Sequence, residues 1–211
     1  MTEGGQTLYI VDDEAAARAS VAALASSMGI RCEAYASAES FLDRVDASCR
    51  GCALIDLRLN GLNGLELQER LATTGCTLPV VILSAYADVR ATVRAMRNGA
   101  LTVIQKPYQP DELAEAIREA FEVDVEIRKA LARADDVRQR LGSLTAREQI
   151  VMEAVMSGKP NKIIAREMDI SQRTVDRIRA NLFEKMGVGT AVELARVVAE
   201  TSAGAPCREA C

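Results

Sequence analysis

Over the first 122 residues, short apolar runs alternate with amphipathic stretches. The runs occupy 8–11, 30–35, 52–55, 80–83 and 101–104, each about the length of a buried strand. A helical pattern follows each run. One such pattern covers 15–28 and stops at Gly29, and another covers 88–98 and stops at Gly99, the residue type that most readily ends a helix. Five strand–helix units in succession predict a doubly wound α/β domain, with a five-stranded parallel sheet covered on both faces.

From Pro110 the helical pattern runs on far longer than one domain requires. Apolar or small residues recur at Leu113, Ile117, Ala120, Ile127, Leu131, Ala134 and Leu141, near heptad spacing. Asp124, Asp135 and Arg138 dilute that stripe, so residues 123–142 are read as a solvated helical linker that can still pair in a dimer. A second domain is placed at 143–200. Thr145 followed by Glu148 is a capping box, and the helix it opens is expected to reach Gly158. A second helix follows Pro160 and Asn161. After Asp169-Ile170-Ser171 a third helix buries Val175, Ile178, Leu182 and Met186 and stops at Gly187. A fourth is expected over 191–198. Short helices at these spacings predict a small all-α helix-turn-helix domain joined to the first domain by the long helix. Residues 201–211 are expected to form a disordered tail.

Charge supports this division. Residues 1–122 carry 17 acidic and 11 basic side chains, whereas residues 143–198 carry 7 and 9. An acidic half joined to a mildly basic one suits a cation-binding domain and a polyanion-binding one. No apolar run approaches the ~20 residues of a membrane span, and the start shows no secretory signal, so a cytoplasmic protein is expected. Histidine is absent, which excludes His-dependent catalysis, His-ligated zinc and a phosphohistidine donor role. The six cysteines, Cys32, Cys49, Cys52, Cys76, Cys207 and Cys211, are expected as free thiols. Cys49 and Cys52 have redox spacing, and nothing else in the chain supports a redox or metal site there.

The candidate chemistry lies at the strand ends. In an open parallel sheet, ligands bind beyond the carboxyl ends of the strands. Asp12 and Asp13 end the first strand, Asp56 the third, Ser84 the fourth and Lys106 the fifth. Any one of them has a plain structural explanation as a cap or loop residue, but five converging on one pocket do not. Three neighbouring carboxylates repel one another unless a hard divalent cation such as Mg²⁺ sits among them. Asp56 can then act as a nucleophile forming an acyl phosphate, with Lys106 supplying positive charge and Ser84 a hydroxyl donor. No Walker-type loop occurs, so the phosphoryl group is expected from another protein rather than from ATP bound by this chain.

These residues resemble a response regulator of the NarL/FixJ family, with a flavodoxin-like receiver and a LuxR-type output domain. The matching pieces of the receiver are Val11-Asp12-Asp13-Glu14, Asp56 with Gly64 eight residues on, Val81-Ile82-Leu83-Ser84 and Lys106-Pro107. Those of the output domain are Leu144-Thr145-Ala146-Arg147-Glu148, Asn161-Lys162-Ile163-Ile164-Ala165 and Thr174-Val175. The resemblance implies that Asp56 is the phosphoacceptor and that Asp12, Asp13, Asp56 and the Arg58 backbone carbonyl bind Mg²⁺. It also implies a cis Lys106–Pro107 bond. Three positions depart from the pattern. Leu59-Asn60 replaces Met-Pro, Gln105 replaces Glu, and Val103 replaces the aromatic switch residue. The last leaves Tyr86, or the loop from Ser84 to Asp88, to carry the signal outward.

A helical wheel turns Arg173, Arg177, Ala180, Asn181 and Glu184 outward on the third helix of the second domain. Such a face fits the major groove, where Arg reads guanine and Asn reads adenine, and Asp176 can accept from cytosine. Lys162, Arg173, Thr174 and Lys185 are read as phosphate contacts, and Arg179 as structural. The expected function is a non-enzymatic, phosphorylation-controlled transcription regulator. A sensor histidine kinase phosphorylates it, and the homodimer that follows binds a palindromic site on double-stranded DNA. The alternatives are a phosphoryl-accepting interaction protein with a non-DNA output, and a thiol sensor using Cys49 and Cys52.

Overall fold

A computed structural model describes residues 5–85 and 89–202. The chain forms two compact units, divided between Ile127 and Arg128. The first unit is a five-stranded parallel sheet in the order β2-β1-β3-β4-β5, formed by β1 (Thr7–Val11), β2 (Arg31–Tyr35), β3 (Gly51–Asp56), β4 (Val80–Ser84) and β5 (Thr102–Gln105). The helices between them are α1 (Ala15–Ser27), α2 (Ala38–Leu42), α3 (Gly64–Thr73) and α4 (Val89–Arg97). The doubly wound α/β reading holds, and element ends shift by a residue or two.

β1, β3 and β4 are buried along their whole length, which is why they read as unbroken apolar runs rather than alternating ones. Alternation still decides which face each side chain serves. Leu8, Ile10, Leu54, Leu83 and Ile104 pack with α1 through Val21 and Ala25. Tyr9, Val11, Ala53, Ile55 and Ile82 turn the other way, onto Phe41, Leu67, Leu71 and Ala95.

The helix after β5, α5, is one continuous element, Pro110–Gly142. Its first turns close the first unit's core with Leu113, Ile117, Ala120 and Phe121. Asp124, expected to dilute the stripe as a solvated residue, is instead buried and accepts a bond from Gln6 Nε2 at 3.1 Å. Asp135 and Arg138 are exposed and pair with each other at 2.6 Å. The last turns are not a purely solvated linker. Val137 is buried in the second unit's core and Leu141 packs against it, because these two positions fall on the side that α6 (Ala146–Met156), α7 (Asn161–Glu167), α8 (Gln172–Met186) and α9 (Ala191–Ser202) cover.

In the second unit, Val151, Val155, Ile164, Val175, Leu182, Met186 and Leu194 form the core, with Ile178 partly buried against it. Both arms of the Thr145–Glu148 capping box are present. α8 ends at Gly187 with φ 66°, a left-handed cap that glycine adopts without strain. Arg140 of α5 donates to the Met186 carbonyl at 2.9 Å, placing a cation at the negative end of the α8 dipole. The tail expected to be disordered over 201–211 is helical at its first two residues, where α9 runs on to Ser202; the rest of it, with Cys207 and Cys211, lies outside the described residues.

Candidate functional site

Parallel pairing sets the first site. β1 and β3 run side by side with Val11 opposite Ile55, and β3 pairs β4 with Asp56 opposite Leu83. Asp12, just past β1, therefore lies beside Asp56 at the end of β3, and Ser84 ends the next strand. β5 adds the fourth segment, since Ser84 pairs with Gln105 and the Lys106 amide donates to the Ser84 carbonyl at 2.7 Å. Asp12, Asp56 and Ser84 are 2%, 8% and 3% exposed, so the two carboxylates need partners.

Lys106 supplies them. Its Nζ donates to Asp12 Oδ2 at 2.7 Å and also to Asp56 Oδ2. The remaining oxygens are held by the loops, because the Glu14 amide donates to Asp12 Oδ1 and the Arg58 amide to Asp56 Oδ1, each at 2.8 Å. Burial raises Asp56 above the usual carboxylate range, assisted by the nearby Asp12 charge and opposed by Lys106 and the Arg58 amide. Burial pulls Lys106 down, yet its bonds to Asp12 and Asp56 outweigh that and leave it above the ordinary lysine value. One ammonium between two carboxylates leaves a net negative pocket, which a cation can neutralise.

Asp13 is half-buried, and the Asn60 side-chain amide donates to its Oδ2. Among the described residues, no three acidic or thiol side chains are gathered so that they could hold a metal ion. The donor chemistry nonetheless fits Mg²⁺, since every candidate ligand is a carboxylate or carbonyl oxygen. Sequence reasoning gave Asn60 no role in the site. The signal was a polar side chain in place of proline on the loop facing the acidic pair.

The β3–α3 loop is pinned at its far end by a second capping box, between Asn63 and Glu66. A Cβ on Gly64 would overlap the Asp56 carbonyl oxygen, so only glycine lets α3 start this close to the strand end. Lys106–Pro107 is cis, as the resemblance implies. Val103 sits on β5 opposite Ile82 and is partly buried against that face's core. Tyr86, with Ala87 and Asp88, lies outside the described residues.

In the second unit, Arg173, Arg177, Ala180, Asn181 and Glu184 are exposed on α8, and Lys162 is exposed on α7. Thr174 is half-buried, and its amide donates to the capping oxygen of Ser171 at 3.1 Å. Asp176 is exposed but accepts a 2.7 Å bond from Asn161 Nδ2, and Asn161 Oδ1 accepts in turn from Arg179 at 3.0 Å. Arg179 also lies 5.1 Å from the Phe183 ring centroid, a stacked, structural position. Lys185 is committed to the domain itself: it bonds Glu148 Oε2 at 2.7 Å and the Ser143 carbonyl at 3.2 Å. The Lys185 bond, followed by that of the Thr145 amide, holds the Glu148 carboxyl below its usual range. A wheel shows that Lys185 points outward, not that a buried carboxylate waits beside it.

The redox reading finds no support in the geometry. Among the described residues no disulfide joins Cys32, Cys49, Cys52 or Cys76. Cys52 is fully buried within β3, and burial pushes its thiol far above the usual range, away from the reactive thiolate.

Comparison with known proteins covers both units. Residues 8–118 match the response regulator receiver domain, and residues 142–198 match the bacterial regulatory proteins of the luxR family. The transcriptional regulatory protein FixJ of Bradyrhizobium diazoefficiens is 38% identical over 197 residues, covering 93% of this chain and 96% of the relative. The response regulator protein TodT of Pseudomonas putida is 34% identical, covering 93% and 87%. Among solved structures, the response regulator StyR matches with a TM-score of 0.80 at 34% identity, covering 93% of this chain and 100% of that one. Full-length FixJ from B. japonicum matches at 0.58 and 36%, covering 96% and 98%.

Proposed function

The chain belongs to the NarL/FixJ family of response regulators, and from that premise we propose that Asp56 is its phosphoacceptor and α8 its DNA-reading helix. It is a two-component transcriptional regulator with a receiver and a LuxR-type DNA-binding domain, and its upstream partner is a histidine kinase. The observation that carries the site assignment is the Lys106 ammonium shared between Asp12 and Asp56 at adjoining strand ends.

In the proposed reaction an Asp56 carboxylate oxygen attacks the phosphorus of a phosphohistidine on the kinase. A P–O bond forms, the P–N bond breaks, and the imidazole leaves with the electron pair. Asp12, Asp13, Asp56 and the Arg58 carbonyl would hold Mg²⁺, which would supply charge neutralisation for the transferring group. Lys106 is placed to exchange its bond with Asp56 for one to a phosphoryl oxygen, and the Ser84 hydroxyl, on the next strand end, donates to another.

On the output side, Arg177 and Asn181 are the base-reading side chains, with Ala180 leaving room for a thymine methyl. Arg173, Thr174 and Lys162 fix position on the phosphates. Asp176 is shared with Asn161 and so reads cytosine only by loosening that bond. Lys185 stands in the capping network and drops out of the phosphate-contact set. Phosphorylation promotes a homodimer that presents two α8 helices to a palindromic site. The reading places the protein in the cytoplasm, and among the described residues no helix is long and apolar enough to cross a membrane. Incubation with Mg²⁺ and a small phosphodonor tests the assignment: the parent should gain one phosphoryl group by intact mass and Asp56→Asn none. Equal modification of both would move the acceptor elsewhere.

A further inference from the structure

We propose that Asn60 is a positioning residue that weakens Mg²⁺ binding to the acidic pocket by holding the Asp13 carboxylate. The inference rests on the reading of Asp13 as a ligand of the cation. Asn60 follows Asp56 by four residues, and its Nδ2 donates to Asp13 Oδ2 across a separation of 47 residues. This contact joins the β3–α3 loop to the β1–α1 loop.

The loop that carries Asn60 is tied at both ends. Asp56 is fixed by Lys106 and by the Arg58 amide. At the other end, the Gly64 amide donates to the Leu57 carbonyl at 3.1 Å, and Asn63 and Glu66 close the capping box. Leu62 is held as well, its amide donating to Glu39 Oε1 at 3.4 Å. The position of the Asn60 amide is therefore built in.

The three carboxylates are not treated alike. Asp12 and Asp56 share a full positive charge from Lys106, whereas Asp13 receives a neutral amide. A neutral donor cancels little of a carboxylate's charge, so Asp13 keeps its pull on a cation. The amide nevertheless turns one oxygen toward the β3–α3 loop. Bringing Asp13 to a cation means breaking the Asn60 bond, and that cost subtracts from the binding free energy.

The test titrates Mg²⁺ into the full-length, unphosphorylated protein and follows binding by calorimetry. Asn60→Ala should bind Mg²⁺ tighter by roughly 3- to 10-fold, the worth of one hydrogen bond to a partly exposed charged group. Asn60→Ser, too short to reach Asp13, should do the same and serves if the alanine variant does not fold. On an Asp13→Asn background the Asn60→Ala change should leave affinity unaltered, which a general loosening of the loop would not produce. Unchanged or weaker binding by both Asn60 variants, with Asp13→Asn weakened, overturns this inference alone. If Asp13→Asn binds Mg²⁺ as the parent does, the ligand reading of Asp13 fails and the inference goes with it.

Discussion

The acidic pocket draws Asp12, Asp56, Ser84 and Lys106 from the ends of four strands or the residues just beyond them, far apart in sequence and brought together by parallel pairing. The candidate DNA face draws Arg173, Arg177, Ala180 and Asn181 from nine consecutive residues of α8. In the pocket, Asp12, Asp56 and Lys106 are one another's partners, and both carboxylates are buried. On α8 the readers are exposed, and their order depends on one helix seated by Val175, Leu182 and Met186. Losses in the pocket should therefore be close to all-or-none, and losses on the face graded and separable.

The sharpest break between the two is at Asp56. Asp56→Asn should abolish phosphoryl uptake while leaving DNA affinity of the unphosphorylated chain unchanged in a shift assay. A parallel loss of DNA binding would mean that the two regions are not separable. The next effect concerns what seats α8. Val137→Ala removes two methyl groups from the second unit's core and should cost about 1–2 kcal/mol in denaturant unfolding. Within that same logic, a fragment covering 128–200 should melt higher than one starting at 143, which lacks Val137, Leu141 and the Arg140 bond to Met186. Equal melting points would return residues 128–142 to the status of a plain linker.

The graded behaviour of the face has its own measurement. Arg177→Ala should cost about 1–3 kcal/mol on a preferred site and relax base preference at one position of each half-site. Lys162→Ala should weaken all sequences alike and reduce the salt slope by about one. Lys185→Ala should instead lower stability, through the bond to Glu148, without changing that slope. Equal, sequence-blind losses from Arg177→Ala and Lys162→Ala would erase the distinction between reading and positioning.

The pocket was legible in sequence because a strand end is a fixed address: once the βα order is read, Asp12, Asp56, Ser84 and Lys106 fall on neighbouring strands. The stripe Val175, Ile178, Leu182 and Met186 was legible for a similar reason, since helical period alone sorts it. What escaped depends on the partner across a gap. Asn60 reaches Asp13 only because the β1–α1 and β3–α3 loops, whose courses the sequence does not give, meet. Lys185 finds Glu148 only after α6 and α8 have packed. Val137 and Leu141 read as linker because near-heptad spacing says which side is apolar, not which domain covers it.

The smallest expected effect lies in the first unit, at Val103 on β5. The family resemblance implies an aromatic ring at this position that turns behind the phosphorylated pocket. Val103 has none, is stiff at χ1, and is already packed opposite Ile82 on β5. An input can shift an equilibrium only by its differential affinity for the two states, so losing one two-position element narrows the gap between inactive and active receiver. We propose that the unphosphorylated protein dimerises measurably and that phosphorylation tightens this by less than the ~10⁴-fold of a complete switch. Sedimentation with and without phosphodonor measures both quantities. Val103→Phe should weaken the unphosphorylated dimer and widen the response, at a modest cost in stability from crowding a packed face. A strictly monomeric unphosphorylated parent that dimerises fully on phosphorylation sinks the proposal. It would also mean that the buried pocket transmits its all-or-none character to the exposed face without help from position 103.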